Sequence, residues 1–113
     1  MDKLNRNINA VINLLETTAE VERVDEKIYE QLIFDHNRRH YMMIWLGFSD
    51  KGGFTNKIML HFEVKESGKV WIYANWTEID VAEALIERGV LSSDIVLGFQ
   101  PKYIREVSGF AVA

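Results

Sequence analysis

Four segments in the middle of the chain combine strand-like composition with connections too short for a crossover. They are Lys27–Asp35, His40–Phe48, Lys57–Glu66 and Lys69–Trp76, all rich in β-branched and aromatic residues. The gaps between them read HNRR, SDKGGFTN and SG. Because a parallel pair needs a crossover of about a dozen residues or more, the sequence predicts a four-stranded antiparallel meander. Ser67-Gly68 indicates a tight hairpin within it.

Helical periodicity flanks these strands on both sides. Before them, an apolar stripe predicts an amphipathic helix from about residue 2 to about residue 20, followed by a connection over residues 21–26; its members are Leu4, Ile8, Val11, Ile12 and Leu15. After Trp76, a second stripe predicts another helix, with Thr77 as its N-cap and Gly89 at its C-terminus; its members are Ile79, Ala82, Leu85 and Ile86. Pro101 opens a last short helical segment.

The predicted fold class is therefore α+β. It consists of an N-terminal helix, a four-stranded antiparallel meander sheet, a C-terminal helix and short helical or extended segments. With 113 residues, the chain has the size of one domain, and we expect a single domain over residues 1–113.

Alternation along the strands predicts two different faces of the sheet. In the third segment Leu60, Phe62 and Val64, with Ile58 before them, alternate with mostly polar residues and are expected to face the helices. The corresponding aliphatic sets elsewhere are Leu32 and Phe34; Met42, Ile44, Leu46 and Phe48; Val70, Ile72 and Ala74. The opposite face would then carry Tyr29, Tyr41, Trp45, Met59, Trp71 and Tyr73. A solvated face should be mostly polar, whereas these types are enriched at protein interfaces.

The C-terminal segment, residues 94–113, is mostly apolar, and residues 109–113 carry no charged side chain. Chain ends are usually polar and frayed, so we expect this one to belong to the folded unit. It would cover part of the aromatic face and leave a residual apolar patch for a partner. The covering residues would be Phe99, Tyr103, Ile104, Phe110 and Val112.

Composition limits the chemistry available to the chain. The absence of cysteine excludes disulfides, thiolate metal sites and a cysteine nucleophile. His36 and His40 have the spacing of a helical metal pair, but they flank a turn between strands, where that spacing does not bring them together. Serines lack the context of a nucleophile elbow, and caps and hairpins account for the carboxylates. We therefore expect no catalytic residues, no metal and no cofactor.

Net charge weighs against autonomous binding to nucleic acid. The formal charge is −4, and phosphate neutralisation requires Lys and Arg. One candidate patch remains, in which the basic HNRRH turn would contact phosphate together with the last helical segment; its residues are Arg38, Arg39, Lys102 and Arg105. No stretch approaches the ~20 apolar residues of a membrane span, and the start lacks the features of a signal peptide. A cytoplasmic protein is therefore expected.

Five blocks of the sequence resemble the XisI proteins, the controlling factors of fdxN element excision in cyanobacteria. They are MDKL at the start, IFD at Ile33–Asp35, the VWI…N.TE pattern over Val70–Glu78, DIVLGF at Asp94–Phe99 and FAVA at Phe110–Ala113. The resemblance extends over nearly the whole chain and preserves the order and spacing of the blocks. One departure is Trp76, at a position where the family pattern often has a small residue.

The resemblance implies an α+β fold and a role in DNA rearrangement, in which the protein assists a site-specific recombinase together with a second factor, XisH. It supplies no catalytic residues. The resulting interpretation is a non-enzymatic accessory protein that binds a protein partner, XisH-like or a second copy of itself. The candidate partner-binding residues are Tyr41, Trp45, Met59, Trp71, Tyr73 and Trp76. Two alternatives remain open: direct DNA binding, and antitoxin-like neutralisation of a nuclease-like XisH partner.

Overall fold

The computed structural model describes residues 2–21 and 27–113, so the predicted connection lies, from residue 22 onward, outside the described residues. The structure confirms the α+β class. No helix in these two ranges is long and apolar enough to span a membrane. The elements in chain order are α1 (Lys3–Val21), β1 (Ile28–Asp35), β2 (His40–Phe48), β3 (Phe54–Val64), β4 (Val70–Asn75), α2 (Val81–Glu87), a 3₁₀ turn (Ser92–Asp94), β5 (Ile95–Leu97) and α3 (Lys102–Arg105).

The strands form one sheet in the order β1-β2-β3-β4-β5. The first four are antiparallel neighbours, which confirms the predicted meander. The DIVLGF block contributes a fifth strand that was expected only as a short extended segment. It pairs parallel to β4, and α2 supplies the crossover that a parallel connection requires. On the other side of β5, Val96 forms a bridge with Ala111.

A β-bulge at Met59 changes the alternation of β3. Met59 lies between the cross-strand pairs Met43–Leu60 and Ile44–Ile58. Consequently Met59 and Leu60 are both buried although they are consecutive, whereas Ile58 is 42% exposed. An extra residue moves the positions beyond it to the opposite face. The predicted inward position of Ile58 is therefore wrong, while that of Leu60 is confirmed.

The register of β2 also corrects the predicted faces. Tyr41 pairs with Phe62, and Met43 pairs with Leu60, so each pair shares one face of the sheet. Tyr41 and Met43 are fully buried. The residues predicted to face the helices lie instead on the opposite face: Met42, Ile44, Leu46 and Phe48. Both faces of β2 are apolar, so alternation alone could not select the inward one.

Both amphipathic helices contribute to one hydrophobic core on one face of the sheet. Its buried members include Val11, Leu14 and Leu15 from α1; Val81, Ala82 and Leu85 from α2; and Met43, Leu60, Phe62, Val64, Val70 and Ile72 from the strands. Ile79 and Ile86 pack against this core, as the predicted stripe requires. Arg88 Nε donates a hydrogen bond to Asn13 Oδ1 at 2.8 Å and links α2 to α1.

The two ends of α2 show how local chemistry sets helix boundaries. The predicted N-cap Thr77 is wrong, because Asp80 takes this position and its Oδ1 accepts from the Glu83 backbone N–H at 3.1 Å. Thr77 instead accepts from the Ile79 N–H within the preceding turn. At the other end, Gly89 has φ +95° just beyond the C-cap. This left-handed conformation favours glycine, as predicted.

The C-terminal segment packs beside β5 and belongs to the folded unit. Phe110 packs against the core, and the Ala111 N–H donates to the Ile95 carbonyl at 2.9 Å. Because Phe110 packs against the core, the expectation that it covers the aromatic face is wrong, and Phe99 and Tyr103 remain 52% and 70% exposed. The backbone bond from Ala111 holds the segment along the edge of the sheet rather than across its strands.

Deletion of residues 109–113 should lower the melting temperature. The truncation removes Phe110 from the core and the hydrogen bond from Ala111, a loss of roughly 2 kcal/mol for a partly buried aromatic residue, equivalent to about 10 °C in a domain of this size. Thermal unfolding followed by circular dichroism measures the change. The control is Val107→Ala, at a position that is 81% exposed. A truncated protein that melts like the full chain would refute the packing role.

Candidate functional site

The face of the sheet opposite the helices, here called the outer face, is built from rows of side chains aligned across the strands. The cross-strand register defines each row, because directly paired residues share a face. From one end of the sheet to the other, the rows are Tyr29–Leu46–Asn56, Gln31–Ile44–Ile58, Ile33–Met42–His61 and Asp35–His40–Glu63–Trp71.

One half of the outer face is apolar and exposed. Six large side chains there, here called the apolar patch, keep between 38% and 60% of their surface accessible: Tyr29, Ile33, Leu46, Phe48, Phe54 and Ile58. The rings of Phe48 and Phe54 pack edge to face across the β2–β3 hairpin, with 5.1 Å between centroids. A cluster of exposed apolar side chains rimmed by polar residues is typical of an interaction surface.

The other half carries hydrogen-bonded polar and aromatic side chains, here called the polar cluster: His40, His61, Glu63, Trp71 and Tyr73. The Tyr73 hydroxyl donates to Glu63 Oε1 at 2.6 Å. His40 Nδ1 and His61 Nε2 are 2.8 Å apart, so one imidazole nitrogen donates and the other accepts. A second bulge positions Tyr73, which is inserted in β4 between the pairs His61–Ala74 and Phe62–Ile72.

Burial and mutual contacts set the protonation of the polar cluster. Burial, reinforced by the hydrogen bond to Glu63, raises the pKa of Tyr73 to about 12. Burial also acts to raise the pKa of the Glu63 carboxyl, but the hydrogen bonds from Tyr73 and Lys65 outweigh it and leave that pKa below its usual value. For His61, burial and then the charge of His40 lower the pKa. Near neutral pH the cluster therefore holds an ionised Glu63 beside a neutral Tyr73 and a neutral His61.

Trp71 connects the polar cluster to two cations. Lys65 Nζ lies 5.3 Å from the indole centroid and the Arg105 guanidinium carbon lies 5.4 Å from it, both within cation–π range. Lys65 also lies 3.0 Å from Glu63 Oε1. The exposed end of the sheet therefore presents an aromatic surface bordered by positive charge.

Only two of the six predicted partner-binding residues, Trp71 and Tyr73, come together on the outer face. Tyr41 and Met59 lie in the core. Trp45 packs against the core from the helix side, and its Nε1 is buried without a hydrogen-bond partner among the described residues. The predicted placement of Tyr41, Trp45 and Met59 on the aromatic face is therefore wrong, since the register of β2 and the bulge in β3 turn them inward.

The sixth predicted residue, Trp76, lies just beyond β4 and is 66% exposed. Lys57 Nζ lies 4.5 Å from its ring centroid. Alternation in the sequence predicts the outward position of Tyr29 and Ile33 but not the rest of the apolar patch, because it assigns Leu46, Phe48 and Ile58 to the helix side. It also misses the contact between His40 and His61, which are separated in the chain and adjacent only through the pairing of β2 with β3.

The residues of the predicted basic patch are largely engaged within the chain. Arg38 pairs with Asp35 at 3.1 Å, and Arg39 Nε donates to the Val64 carbonyl at 2.8 Å. Arg105 Nε donates to the Val112 carbonyl at 2.7 Å, whereas Lys102 is exposed. Over the described ranges, no group of three or more His, Cys, Asp or Glu residues has a metal-binding arrangement.

Comparison with known proteins gives consistent matches over the whole fold. The family model described as XisI protein matches residues 1–112. A XisI-like protein from Anabaena variabilis ATCC 29413 superposes with a TM-score of 0.89 at 34% identity, covering 97% of this chain and 99% of that one. The fdxN element excision controlling factor XisI from the same organism has a TM-score of 0.83 at 24% identity, covering 99% and 100%. No curated protein matches the sequence.

The polar cluster predicts that stability declines in mild acid. The folded state holds the pKa of His61 below the ordinary value of 6.5, so protonation favours the unfolded chain. The stabilising contribution is present above pH 6.5 and is lost as the pH falls through the folded-state value. We expect the free energy of unfolding, measured with urea between pH 7.5 and pH 5, to decrease less for His61→Gln than for the unsubstituted protein.

His36→Gln is the control, because His36 contacts Tyr41 and none of the members of the polar cluster. It should retain the full decline in unfolding free energy. An equally steep decline in His61→Gln would contradict the assignment to His61.

Proposed function

The chain belongs to the XisI family, and from this premise we propose that it is a non-enzymatic controlling factor for the excision of a DNA element by a site-specific recombinase. We propose further that it acts by binding a protein partner through the outer face. The observation that carries this proposal is the apolar patch, whose six large side chains keep 38% to 60% of their surface accessible.

The composition of the outer face supports protein binding. Stable interfaces have an apolar centre and a polar rim whose hydrogen bonds are satisfied. The apolar patch supplies such a centre, and the polar cluster beside it has its own internal partners, with Tyr73 bound to Glu63 at 2.6 Å. Covering this half of the face therefore leaves the Tyr73 hydroxyl paired. Trp71 and Tyr73 are also of the types that dominate binding energy at interfaces.

The partner that we propose is a XisH-like protein, as the family resemblance implies. Binding on the outer face is compatible with either consequence: assistance to a recombinase, or neutralisation of a nuclease-like partner. A net charge of −4 favours association with a basic partner surface through electrostatic complementarity.

Direct DNA contact has weaker support. The same net charge opposes it, and the arginines of the basic patch bind acceptors within the chain, Arg39 to Val64 and Arg105 to Val112. If DNA were the ligand, the logarithm of the binding constant would fall linearly with the logarithm of the salt concentration. Each phosphate contact would steepen that slope by about 0.9. This alternative also predicts that Arg38→Ala and Lys102→Ala lose DNA binding.

Substitutions on the outer face should weaken the complex without unfolding the protein. Ile58→Asp places a charge in the centre of the apolar patch, and Trp71→Ala removes a large aromatic contact. We expect each to reduce affinity for a XisH-like protein by about 30-fold, which corresponds to a loss of ~2 kcal/mol for an interface hot spot. Isothermal titration calorimetry measures the affinity, and light scattering reports the stoichiometry.

Leu91→Asp is the control, because Leu91 is 57% exposed but follows α2 and lies off the sheet. It should bind the partner normally. If both outer-face variants are folded and bind with unchanged affinity, docking on this face is refuted. Trp45 is unsuitable as a test residue, since its packing against the core would confound binding with stability.

A further inference from the structure

β1 is an edge strand whose outer edge is open among the described residues. It pairs with β2 and stands first in the sheet order, whereas the opposite edge at β5 receives the bridge from Ala111. The backbone groups along an open edge can pair with another strand. Neither proline nor lysine, two residues that commonly block such pairing, occurs in the eight residues of β1, whose charged members are Glu30 and Asp35.

We propose that two copies of the chain pair through β1, antiparallel about a two-fold axis, so that their sheets become one continuous sheet. An antiparallel pair formed by the same strand in each copy is self-complementary and closes at two copies. This inference concerns the edge of the sheet and does not depend on the function proposed for the outer face.

The sequence of β1 matches itself in one register, centred on Gln31. In that register Tyr29 lies opposite the partner's Ile33, an aromatic–β-branched pair of the kind that stabilises sheets. Ile28 lies opposite the partner's Phe34. Just beyond the strand, Lys27 lies opposite the partner's Asp35, which places opposite charges at both ends of the pairing. The two copies of Gln31 meet at the axis, and Glu30 lies opposite the partner's Leu32.

Neighbouring registers that preserve the two faces match less well. A register centred on Glu30 places two like charges directly opposite each other, which is destabilising. A register centred on Leu32 places Tyr29 opposite the partner's Asp35 and so loses both the Tyr29–Ile33 pair and the Lys27–Asp35 pair. The complementarity of a single register favours a second copy of this chain over an unrelated strand.

The geometry has a consequence for the outer face. A two-fold axis perpendicular to the sheet keeps both outer faces on the same side. Tyr29 and Ile33, 60% and 42% exposed, would then meet at the seam in both copies. The two apolar patches would form one continuous surface across the seam.

Cysteine scanning tests the register directly, because the natural chain has no cysteine. Opposite residues in an antiparallel pair have Cα separations of ~4.5–5.5 Å, within the Cα range that a disulfide bridges. Gln31→Cys should therefore oxidise to a covalent dimer on a non-reducing gel. Tyr29→Cys alone and Ile33→Cys alone should give no disulfide and run as single chains on the same gel, whereas an equimolar mixture of the two should form the covalent dimer.

These three positions are exposed on the outer face, so the substitutions should leave the fold intact, as circular dichroism can verify.

Light scattering on the unsubstituted protein should give twice the mass of the 13.1 kDa chain. A monomer at all concentrations up to the millimolar range would overturn the proposal. Equal crosslinking by Tyr29→Cys alone would overturn the register. Ile58→Asp should leave the dimer intact, which separates this test from that of partner binding.

Discussion

The two β-bulges, at Met59 in β3 and Tyr73 in β4, determine which side chains face the helices and which remain on the outer face. A bulge adds one residue to a strand while the ladder of backbone hydrogen bonds continues on either side of it. In β3 this buries both Met59 and Leu60 and turns Ile58 outward. In β4 it places Tyr73 within hydrogen-bond distance of Glu63. The apolar patch and the polar cluster both depend on these insertions.

Polar groups on the outer face are stabilised by one another. Partial burial would penalise the Glu63 charge if it had no donors, but Tyr73 and Lys65 both bind its Oε1. The imidazoles of His40 and His61 satisfy each other in the same way. The polar side chains beside the apolar patch therefore already have hydrogen-bond partners within the chain. If the proposed partner displaced water from them, these internal hydrogen bonds would reduce the free-energy cost of that desolvation.

The sheet offers two geometrically separate surfaces for association. The outer face presents side chains, so its contacts are specified by shape, apolar area and charge. The outer edge of β1, to which no other strand in residues 2–21 and 27–113 pairs, presents backbone groups, so its contacts are specified by register. The helices occupy the remaining face, and Ala111 bridges to Val96 beside β5. The proposed partner and the proposed second copy would therefore engage different parts of the sheet.

Local pattern in the sequence determined the elements and their connections. Gap lengths of a few residues predicted an antiparallel meander, and the helical stripes placed α1 and α2 on the core. The order and spacing of short blocks gave the resemblance to the XisI family. Tertiary structure alone decided which face of β2 is inward, since Tyr41 and Met43 on one side and Ile44 and Leu46 on the other are all apolar. Alternation along a strand divides its side chains between the two faces of the sheet, but it does not determine which face packs against the helices. That choice is made by pairing between strands distant in the chain, where one inserted residue reverses the result.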